Sequence, residues 1–471
     1  MKILKNYLYN LSYQIISIIV PIITIPYISR VLGADLIGIN SYTNTIISYF
    51  VLFANIGLTV YGNRTISYAR DSLEERSQKF WEIMVIKLLM AILSYFCFFV
   101  FTLFYTQYRT YLYIQSIQIL AVAIDISWFF TGLEDFKKTV TRNILTKILS
   151  AICVILIVKT REDLGKYILI ITGSALVGNL TLWTYIKRYI SSFDFKSMNL
   201  REHLKPVIVL FIPQLATTLF MTLNKLFLGN LSTFTEAGFF DNSDKIVRVL
   251  LTAITAVGTV IFPKLANSFK KNDNSLINKY LKLSFDAVNM ISIPITFGLI
   301  SISSPFSEIY FGSDFDGIEL TLAILSIELI FMGWSTVFGN QFLVAIDKVK
   351  GLTISVVIAT VVLLSLSIFL IPIFGSTGAT ITSVIGEAVI AIVQLYFVNK
   401  YVQLSILFKD FYKFLISGLI MLLVCQTVNI FITNNFLNIV VQIIIGGITY
   451  CGILFVLKPA IMNFREIGIR N

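Results

Sequence analysis

The chain is dominated by uninterrupted apolar stretches of 18 residues or more, which recur from one end to the other. A stretch of that length crosses the hydrocarbon core of a bilayer as a helix. Only 13% of the 471 residues are charged and 56% are hydrophobic, whereas soluble domains carry about 25% charged residues. The sequence therefore predicts an all-α membrane protein that crosses the bilayer many times.

We predict fourteen transmembrane helices joined by short connectors. Their approximate bounds are 8–30, 41–62, 81–105, 111–131, 141–158, 165–187, 206–228, 243–263, 281–301, 318–345, 351–373, 376–399, 411–431 and 436–457. Most of the 37 Lys and Arg residues fall in the even-numbered connectors and the two terminal segments. By the positive-inside rule both termini are expected to be cytoplasmic, and an even number of spans agrees with this orientation.

Two stretches, 20–71 and 212–273, carry the same order of features about 200 residues apart. In each, a proline-containing apolar helix ends near a cation, a connector glycine follows, and a second apolar helix ends in a basic segment. The matching residues are Arg30 with Lys225, Gly38 with Gly238, and Arg70 with Lys270. Six spans return the chain to the same side, so the two repeats are expected to be parallel and related by an axis along the membrane normal.

The repeat predicts four parts of the chain. A six-helix N-terminal lobe covers 1–190, a cytoplasmic linker covers 191–205, and a six-helix C-terminal lobe covers 206–402. Two extra transmembrane helices and a tail occupy 403–471.

Three connector motifs point to a known family. PYISRVLGADLIGINSY at 26–42, WFFTGLEDFKK at 128–138 and IYFGSDFDG at 309–317 resemble connectors of the Wzx-type flippases, which move lipid-linked oligosaccharides in bacterial capsule and O-antigen synthesis. That family belongs to a superfamily with the multidrug exporters and the peptidoglycan lipid flippase. The resemblance implies a two-lobed, V-shaped bundle around a central cavity in the bacterial cytoplasmic membrane.

The same resemblance implies a function. By alternating access, the chain would carry an undecaprenyl-diphosphate-linked oligosaccharide repeat unit from the cytoplasmic to the outer leaflet, next to the polysaccharide polymerase machinery. The alternative is a cation-coupled small-molecule exporter of the same superfamily. A membrane enzyme such as a polymerase needs a sizeable outer catalytic loop, and the outer connectors here are short, so we expect no enzyme activity.

The charge and motif content argue against other classes of function. The net charge of +11 is explained by the cytoplasmic connectors, so no nucleic-acid partner is expected. No Walker A or HExxH pattern is present, and no cofactor or metal is predicted. The single histidine, His203, falls in a polar connector, which argues against a zinc site or a histidine relay.

Cations near the outer ends of spans are the predicted substrate-binding residues. Span eight begins with a polar stripe, because positions 241, 245 and 248 lie within about 60° of one another on a helix. Asp241 and Asp244 are expected to restrain the basic side chains, which leaves a modest net attraction. The predicted set, which would attract a diphosphate or an acidic sugar, is Arg30, Lys225, Lys245 and Arg248, with Asn224 adding a hydrogen bond. The alternative is that these cations extend to the membrane interface.

Three carboxylates lie well inside predicted spans: Asp125, Glu328 and Glu387. A charge in hydrocarbon costs at least about 2.5–3.5 kcal/mol, so each needs a partner or a wet cavity. We predict that at least one takes part in coupling to protons or sodium ions; the alternative is a carboxylate kept neutral or paired for packing. Lys87, near the start of span three, is expected to extend to the interface.

Overall fold

The computed structural model describes residues 2–191, 198–271 and 273–462, so the predicted linker 191–205 falls partly outside the described residues. Over the described ranges the chain is helical and contains no β-strand. The helices are α1 (Lys2–Asn55), α2 (Leu58–Ala69), α3 (Leu73–Phe104), α4 (Arg109–Gln115), α5 (Ile117–Ala123), α6 (Ser127–Gly132), α7 (Phe136–Ile157), α8 (Leu164–Ile186), α9 (Leu200–Leu231), α10 (Phe234–Lys270), α11 (Asn274–Phe311), α12 (Ile318–Ser326), α13 (Glu328–Ser335), α14 (Val349–Val398), α15 (Leu404–Leu407), α16 (Phe411–Phe431) and α17 (Asn435–Leu457).

The helices have the length and composition of membrane spans. Among the described residues, eleven helical segments are long and apolar enough to cross a bilayer. A twelfth is added if α10, which bends by 41° between Phe234–Gly258 and Ile261–Lys270, is counted as one span. The prediction of an all-α protein that crosses the membrane many times is therefore confirmed.

Two of the helices are interrupted at glycines with positive φ. Gly33 in α1 has φ 77° and ψ 170°, and Gly375 in α14 has φ 54° and ψ −130°. Glycine adopts such backbone angles readily because it has no Cβ. Straight helices of 54 and 50 residues would be about 80 and 75 Å long, far more than the roughly 30 Å of a hydrocarbon core.

At Gly375 the chain turns back on itself. The hydroxyl of Ser367 donates to Oγ1 of Thr382 over 3.3 Å, although fifteen residues of straight helix would separate them by about 22 Å. At Gly378 a Cβ would lie 2.3 Å from the carbonyl oxygen of Leu370, so the two arms approach too closely for any side chain there. The two halves of α14 are therefore an antiparallel pair of helices.

The chain divides into two compact units, Met1–Gly229 (unit 1) and Asn230–Asn471 (unit 2). The core of unit 1 is aromatic: Phe80 of α3 stacks on Trp128 of α6 and meets Phe129 edge to face. A Cβ atom on Gly62 would lie only 2.5 Å from the Trp128 ring, so α2 and α6 pack in close contact. The lobe boundaries given above stay a prediction.

In unit 2 the last two long helices pack on α11. The Ser301 hydroxyl donates to Oε1 of Gln442 over 2.5 Å, and Nδ2 of Asn429 donates to the carbonyl oxygen of Ser301 over 3.1 Å. Hydrogen bonds between helices are a common source of association where lipid surrounds the protein. Gly418 faces Ile293 and Phe297 at less than 3 Å from its Cβ position, so α16 lies close against α11.

Candidate functional site

Two ion pairs lie on consecutive turns of α10 in unit 2. Nζ of Lys245 lies 2.6 Å from Oδ2 of Asp241, and Nε of Arg248 lies 2.7 Å from Oδ1 of Asp244. Each pair joins positions i and i+4, which are neighbours on one helix face. Both aspartates are buried, whereas the Lys245 and Arg248 side chains are 37% and 35% exposed. The aspartates fix the two cations in place and offset their charge.

Arg248 links this stripe to two buried glutamates. Glu328, the first residue of α13, and Glu387 of α14 are 3% and 8% exposed. Both interact electrostatically with Arg248, and Glu328 accepts a hydrogen bond from Ser383. Glu328 also experiences repulsion from Glu387 and Asp244. We call Asp244, Arg248, Glu328 and Glu387 the C-terminal cluster; it combines three carboxylates with one guanidinium.

A local change of helix geometry places Glu328 in the cluster. α12 ends at Ser326 and α13 begins at Glu328. Around Ile327 the backbone bonds run from i to i−3, with Ile327 N–H donating to Ile324 O over 3.1 Å and Ile330 N–H donating to Ile327 O over 3.2 Å. Such tight turns inside a helix often mark hinges or functional positions.

The fourth predicted span of unit 1 is interrupted at Asp125. α5 ends at Ala123 and α6 begins at Ser127. The Asp125 carboxylate accepts from the backbone N–H and the hydroxyl of Ser127, each over 2.9 Å. Its carbonyl oxygen accepts from Nζ of Lys87 over 2.6 Å and from Nε1 of Trp128 over 3.1 Å. The carboxylate therefore accepts the first backbone N–H of α6, and the Lys87 ammonium donates to the Asp125 carbonyl oxygen at the interruption.

In unit 1 two cations interact electrostatically with the Asp125 carboxylate. Lys87 is fully buried, and Arg142, which donates to Asn179, also interacts electrostatically with Asp125. The expectation that Lys87 extends to the interface is wrong, because the interrupted helix offers its ammonium an acceptor inside the protein. One carboxylate with two cations here contrasts with three carboxylates and one guanidinium in the C-terminal cluster. The C-terminal cluster is therefore the better candidate for binding a coupling cation.

The remaining predicted residues lie on two helices of unit 1. Arg30 is exposed on α1, and on α9 Lys225 is half-buried while Asn224 is buried. The structure thus brings Arg248 together with Glu328 and Glu387 and pairs Lys245 with Asp241. A common cavity of Arg30 and Lys225 with the α10 cations stays a prediction.

A second buried polar group, in unit 1, was missed by sequence reasoning. Nε2 of His203 lies 2.8 Å from Oε2 of Glu82, and Nδ1 lies 2.7 Å from the Tyr61 hydroxyl. Glu82 also accepts from the backbone N–H of Asn199 over 2.9 Å. His203 is therefore buried in the first turn of α9 and not in an open connector. A glutamate near the start of an apolar span and the chain's only histidine were the sequence features that could have revealed it.

Residues 3–269, more than half of the chain, match the family model described as "Polysaccharide biosynthesis protein". The chain belongs to this family. It is 22% identical over 401 residues to the putative O-antigen transporter of Escherichia coli K12, a match that covers 84% of this chain and 96% of that protein.

Solved structures of membrane transporters share the fold. The inward closed conformation of the lipid II flippase MurJ aligns with a TM-score of 0.75 and 18% identity over 96% of this chain and 98% of that one. An inward-facing multidrug resistance MATE family transporter of the MOP superfamily aligns with a TM-score of 0.60 and 14% identity over 84% of this chain and 94% of that one. This polysaccharide biosynthesis family member is thus a multi-pass membrane protein with a MurJ-like and MATE-like fold.

Proposed function

We propose that the protein is a flippase that translocates an undecaprenyl-diphosphate-linked oligosaccharide repeat unit from the cytoplasmic to the outer leaflet. The observation that carries the proposal is the match to the E. coli putative O-antigen transporter, which extends over 84% of this chain and nearly the whole of that protein. The fold shared with the lipid II flippase supports it, since that protein is named for moving a lipid-linked sugar. The protein works in the bacterial cytoplasmic membrane and delivers its substrate to polysaccharide polymerase machinery.

The proposal includes fourteen transmembrane helices with both termini in the cytoplasm. Two of the eleven span-length segments contain the glycine interruptions at Gly33 and Gly375, and each is long enough to cross the bilayer twice. Counting each as two spans, and counting the bent α10, raises eleven to fourteen. The hydrogen bond between Ser367 and Thr382 supports this count for α14.

The proposal also includes two parallel six-helix repeats, with lobes over 1–190 and 206–402 and two added helices over 403–471. Its support is the pair of interrupted helices: Asp125 and Glu328 each lie at a break in the fourth span of their repeat, and they are about 200 residues apart. In the V-shaped arrangement implied by the family resemblance, alternating access exposes a central cavity to one leaflet and then to the other.

In this mechanism the C-terminal cluster binds a proton or a sodium ion. Two buried glutamates and an aspartate with one guanidinium carry more negative than positive charge, so a cation that reaches them relieves repulsion. Binding and release of that cation bias unit 2 between two conformations, since a ligand shifts an equilibrium by its differential affinity for the two states. The substrate's diphosphate is attracted by Arg30, Lys225, Lys245 and Arg248, with Asn224 as a further donor.

The test is complementation of a bacterial strain that lacks its own repeat-unit flippase. Expression of this chain is expected to restore polymer at the cell surface, provided that the strain makes a repeat unit that the protein accepts. The test is therefore repeated in several flippase-deficient strains, each of which makes a different repeat unit. A small-molecule exporter, the alternative, would raise resistance to toxic cations in a strain lacking multidrug exporters and restore no polymer in any of them.

A further inference from the structure

The ends of three helices meet at one edge of unit 2, around Asp410. Its Oδ2 atom lies 2.9 Å from Nζ of Lys282, near the start of α11, and its Oδ1 atom lies 2.7 Å from Nζ of Lys413 in the first turn of α16. Oδ2 also accepts from the backbone N–H of Ala460, just beyond α17, over 3.3 Å. Asp410 is 2% exposed, so it acts as a buried anchor for this edge.

A cavity at this edge is lined by both cationic and apolar residues. Its lining includes three lysines, Lys409, Lys413 and Lys458, and the apolar residues Phe455 and Pro459. Among the described residues, the one carboxylate in the lining is the buried Asp410. Three ammonium groups against one carboxylate make the cavity attractive to an anion.

The lysines differ in how they are held. Lys413 is fixed, because its ammonium pairs with Asp410 and donates to the carbonyl oxygen of Lys458 over 3.2 Å. Lys409 and Lys458 are exposed, and among the described residues no carboxylate forms an ion pair with either of them. The cavity lining thus has two exposed ammonium groups beside a third that is held in place.

Lys458 lies at the C-terminal end of α17 in a backbone conformation that favours glycine or asparagine. It ends α17 with φ 44° and ψ 66°, in the left-handed region. Glycine or asparagine is the usual residue at such a helix end, because other side chains pay a steric penalty there. A lysine kept in this conformation, with its side chain at a cavity, points to a role other than ending the helix.

The residues around the cavity suit contact with a membrane lipid. Phe455 and Val456 on the last turn of α17 are 72% and 76% exposed, as expected for side chains in contact with acyl chains. Lys458 follows them at the end of α17, and Lys409 and Lys413 flank the start of α16, on the side predicted to be cytoplasmic. Basic pockets at this level between transmembrane helices bind lipid head groups.

We propose that this cavity binds the phosphate group of an anionic membrane lipid, with Lys409, Lys413 and Lys458 contacting the phosphate and the acyl chains lying along α17. The site lies within unit 2 and is separate from the C-terminal cluster. It would hold a lipid at the two helices that follow the proposed repeats, and it does not depend on the identity of the transported substrate.

The experiment titrates the purified, delipidated full-length protein with dioleoyl phosphatidylglycerol and counts bound lipids by native mass spectrometry. Parallel titrations use undecaprenyl phosphate, dioleoyl phosphatidylcholine and inorganic phosphate. We expect saturable binding of phosphatidylglycerol, of undecaprenyl phosphate, or of both, with weaker binding of phosphatidylcholine. The stronger of the two anionic ligands identifies the source of the phosphate. Equal binding of phosphatidylcholine, or binding of inorganic phosphate with no preference for a lipid, would overturn the proposal.

Lys458→Asn is the decisive variant. Asparagine tolerates the left-handed backbone, so the variant is expected to unfold at the parent's temperature or slightly above it, while its affinity for the anionic lipid falls about fivefold. Lys409→Asn together with Lys458→Asn should lower it about 25-fold. The matched control is Lys350→Asn, which removes an exposed lysine of the same unit outside the cavity. If the double variant binds like the parent, or if the control loses as much affinity, the site is not where we place it.

Discussion

Nε2 of His203 lies 2.8 Å from Oε2 of Glu82, and both side chains are fully buried within unit 1. Because His203 belongs to α9 and Glu82 to α3, the pair joins two helices that are distant in sequence. The Tyr61 hydroxyl, 2.7 Å from the other ring nitrogen, adds α2 to the same contact. Nζ of Lys79 lies 3.3 Å from the same Oε2 atom, so the Glu82 carboxylate has a second partner on its own helix.

His203→Ala is expected to destabilise the protein by about 1–3 kcal/mol, because the buried Glu82 carboxylate and the Tyr61 hydroxyl each lose a hydrogen-bond partner while Glu82 keeps Lys79 and the Asn199 N–H. Tyr61→Phe should cost only about 0.5–1.5 kcal/mol, the value of one hydrogen bond. The measurement is the thermal unfolding midpoint of the purified protein in detergent. Similar midpoints for His203→Ala and the parent would mean that the pair contributes little to holding α9.

Glu328→Gln with Glu387→Gln is expected to abolish the response of transport to an imposed proton or sodium gradient, since it removes two of the three carboxylates of the C-terminal cluster. Asp125→Asn is the matched control, because that carboxylate accepts the Ser127 N–H at the start of α6 and is flanked by cations. The measurement is transport in proteoliposomes with and without each gradient. If gradient dependence survives in the double glutamine variant, these glutamates are structural; if Asp125→Asn alone removes it, coupling resides in unit 1.

Arg248→Ala and Lys225→Ala are each expected to reduce polymer output about tenfold in a strain that lacks its own flippase, at normal protein level in the membrane, because each removes a charge-assisted hydrogen bond to the substrate. Arg248→Lys should retain part of the activity, because the charge survives while the bidentate geometry is lost. Surface polymer and membrane protein are quantified in the same cells. Full transport by Arg248→Glu combined with Lys225→Glu at equal expression would refute a cationic substrate site.

Gly378→Ala is expected to destabilise the α14 pair by about 1–3 kcal/mol, because the new Cβ would lie 2.3 Å from the carbonyl oxygen of Leu370. Gly447→Ala is the control, since no atom beyond its own stretch of helix lies within 4 Å of its Cβ position and alanine favours the helix. Thermal unfolding of both variants separates close packing from the general effect of replacing a membrane glycine. Equal midpoints for the two would contradict the tight turn.

The topology is tested by single cysteines placed at Asp314 and Arg465 after the four native cysteines have been replaced. A membrane-impermeant maleimide added to intact cells should label position 314 and leave position 465 unlabelled until the membrane is opened. Labelling of 465 from outside, or of 314 only from inside, would reverse the proposed orientation.

Sequence patterns predicted the spans of this protein well and its interior contacts poorly. Each predicted span from 81–105 to 206–228 overlaps described helices, because length and hydropathy are local properties. The interruptions at Asp125 and Ile327 have no local proline or glycine, and they persist because distant side chains such as Lys87 satisfy the backbone. The partners of Lys87 and His203 lie in other spans, so local patterns could mark the single histidine as unusual but could not place either side chain in the interior.

The turn at Gly375 also bears on how the protein is made. The two arms of α14 are joined without a hydrophilic loop, and between Gly351 and Val398 the chain carries one charged residue, Glu387. No cation near the turn can direct one arm independently of the other during synthesis. We therefore expect both arms to insert as a single helical hairpin, with its direction of entry set by the lysines at the two ends, Lys348, Lys350 and Lys400.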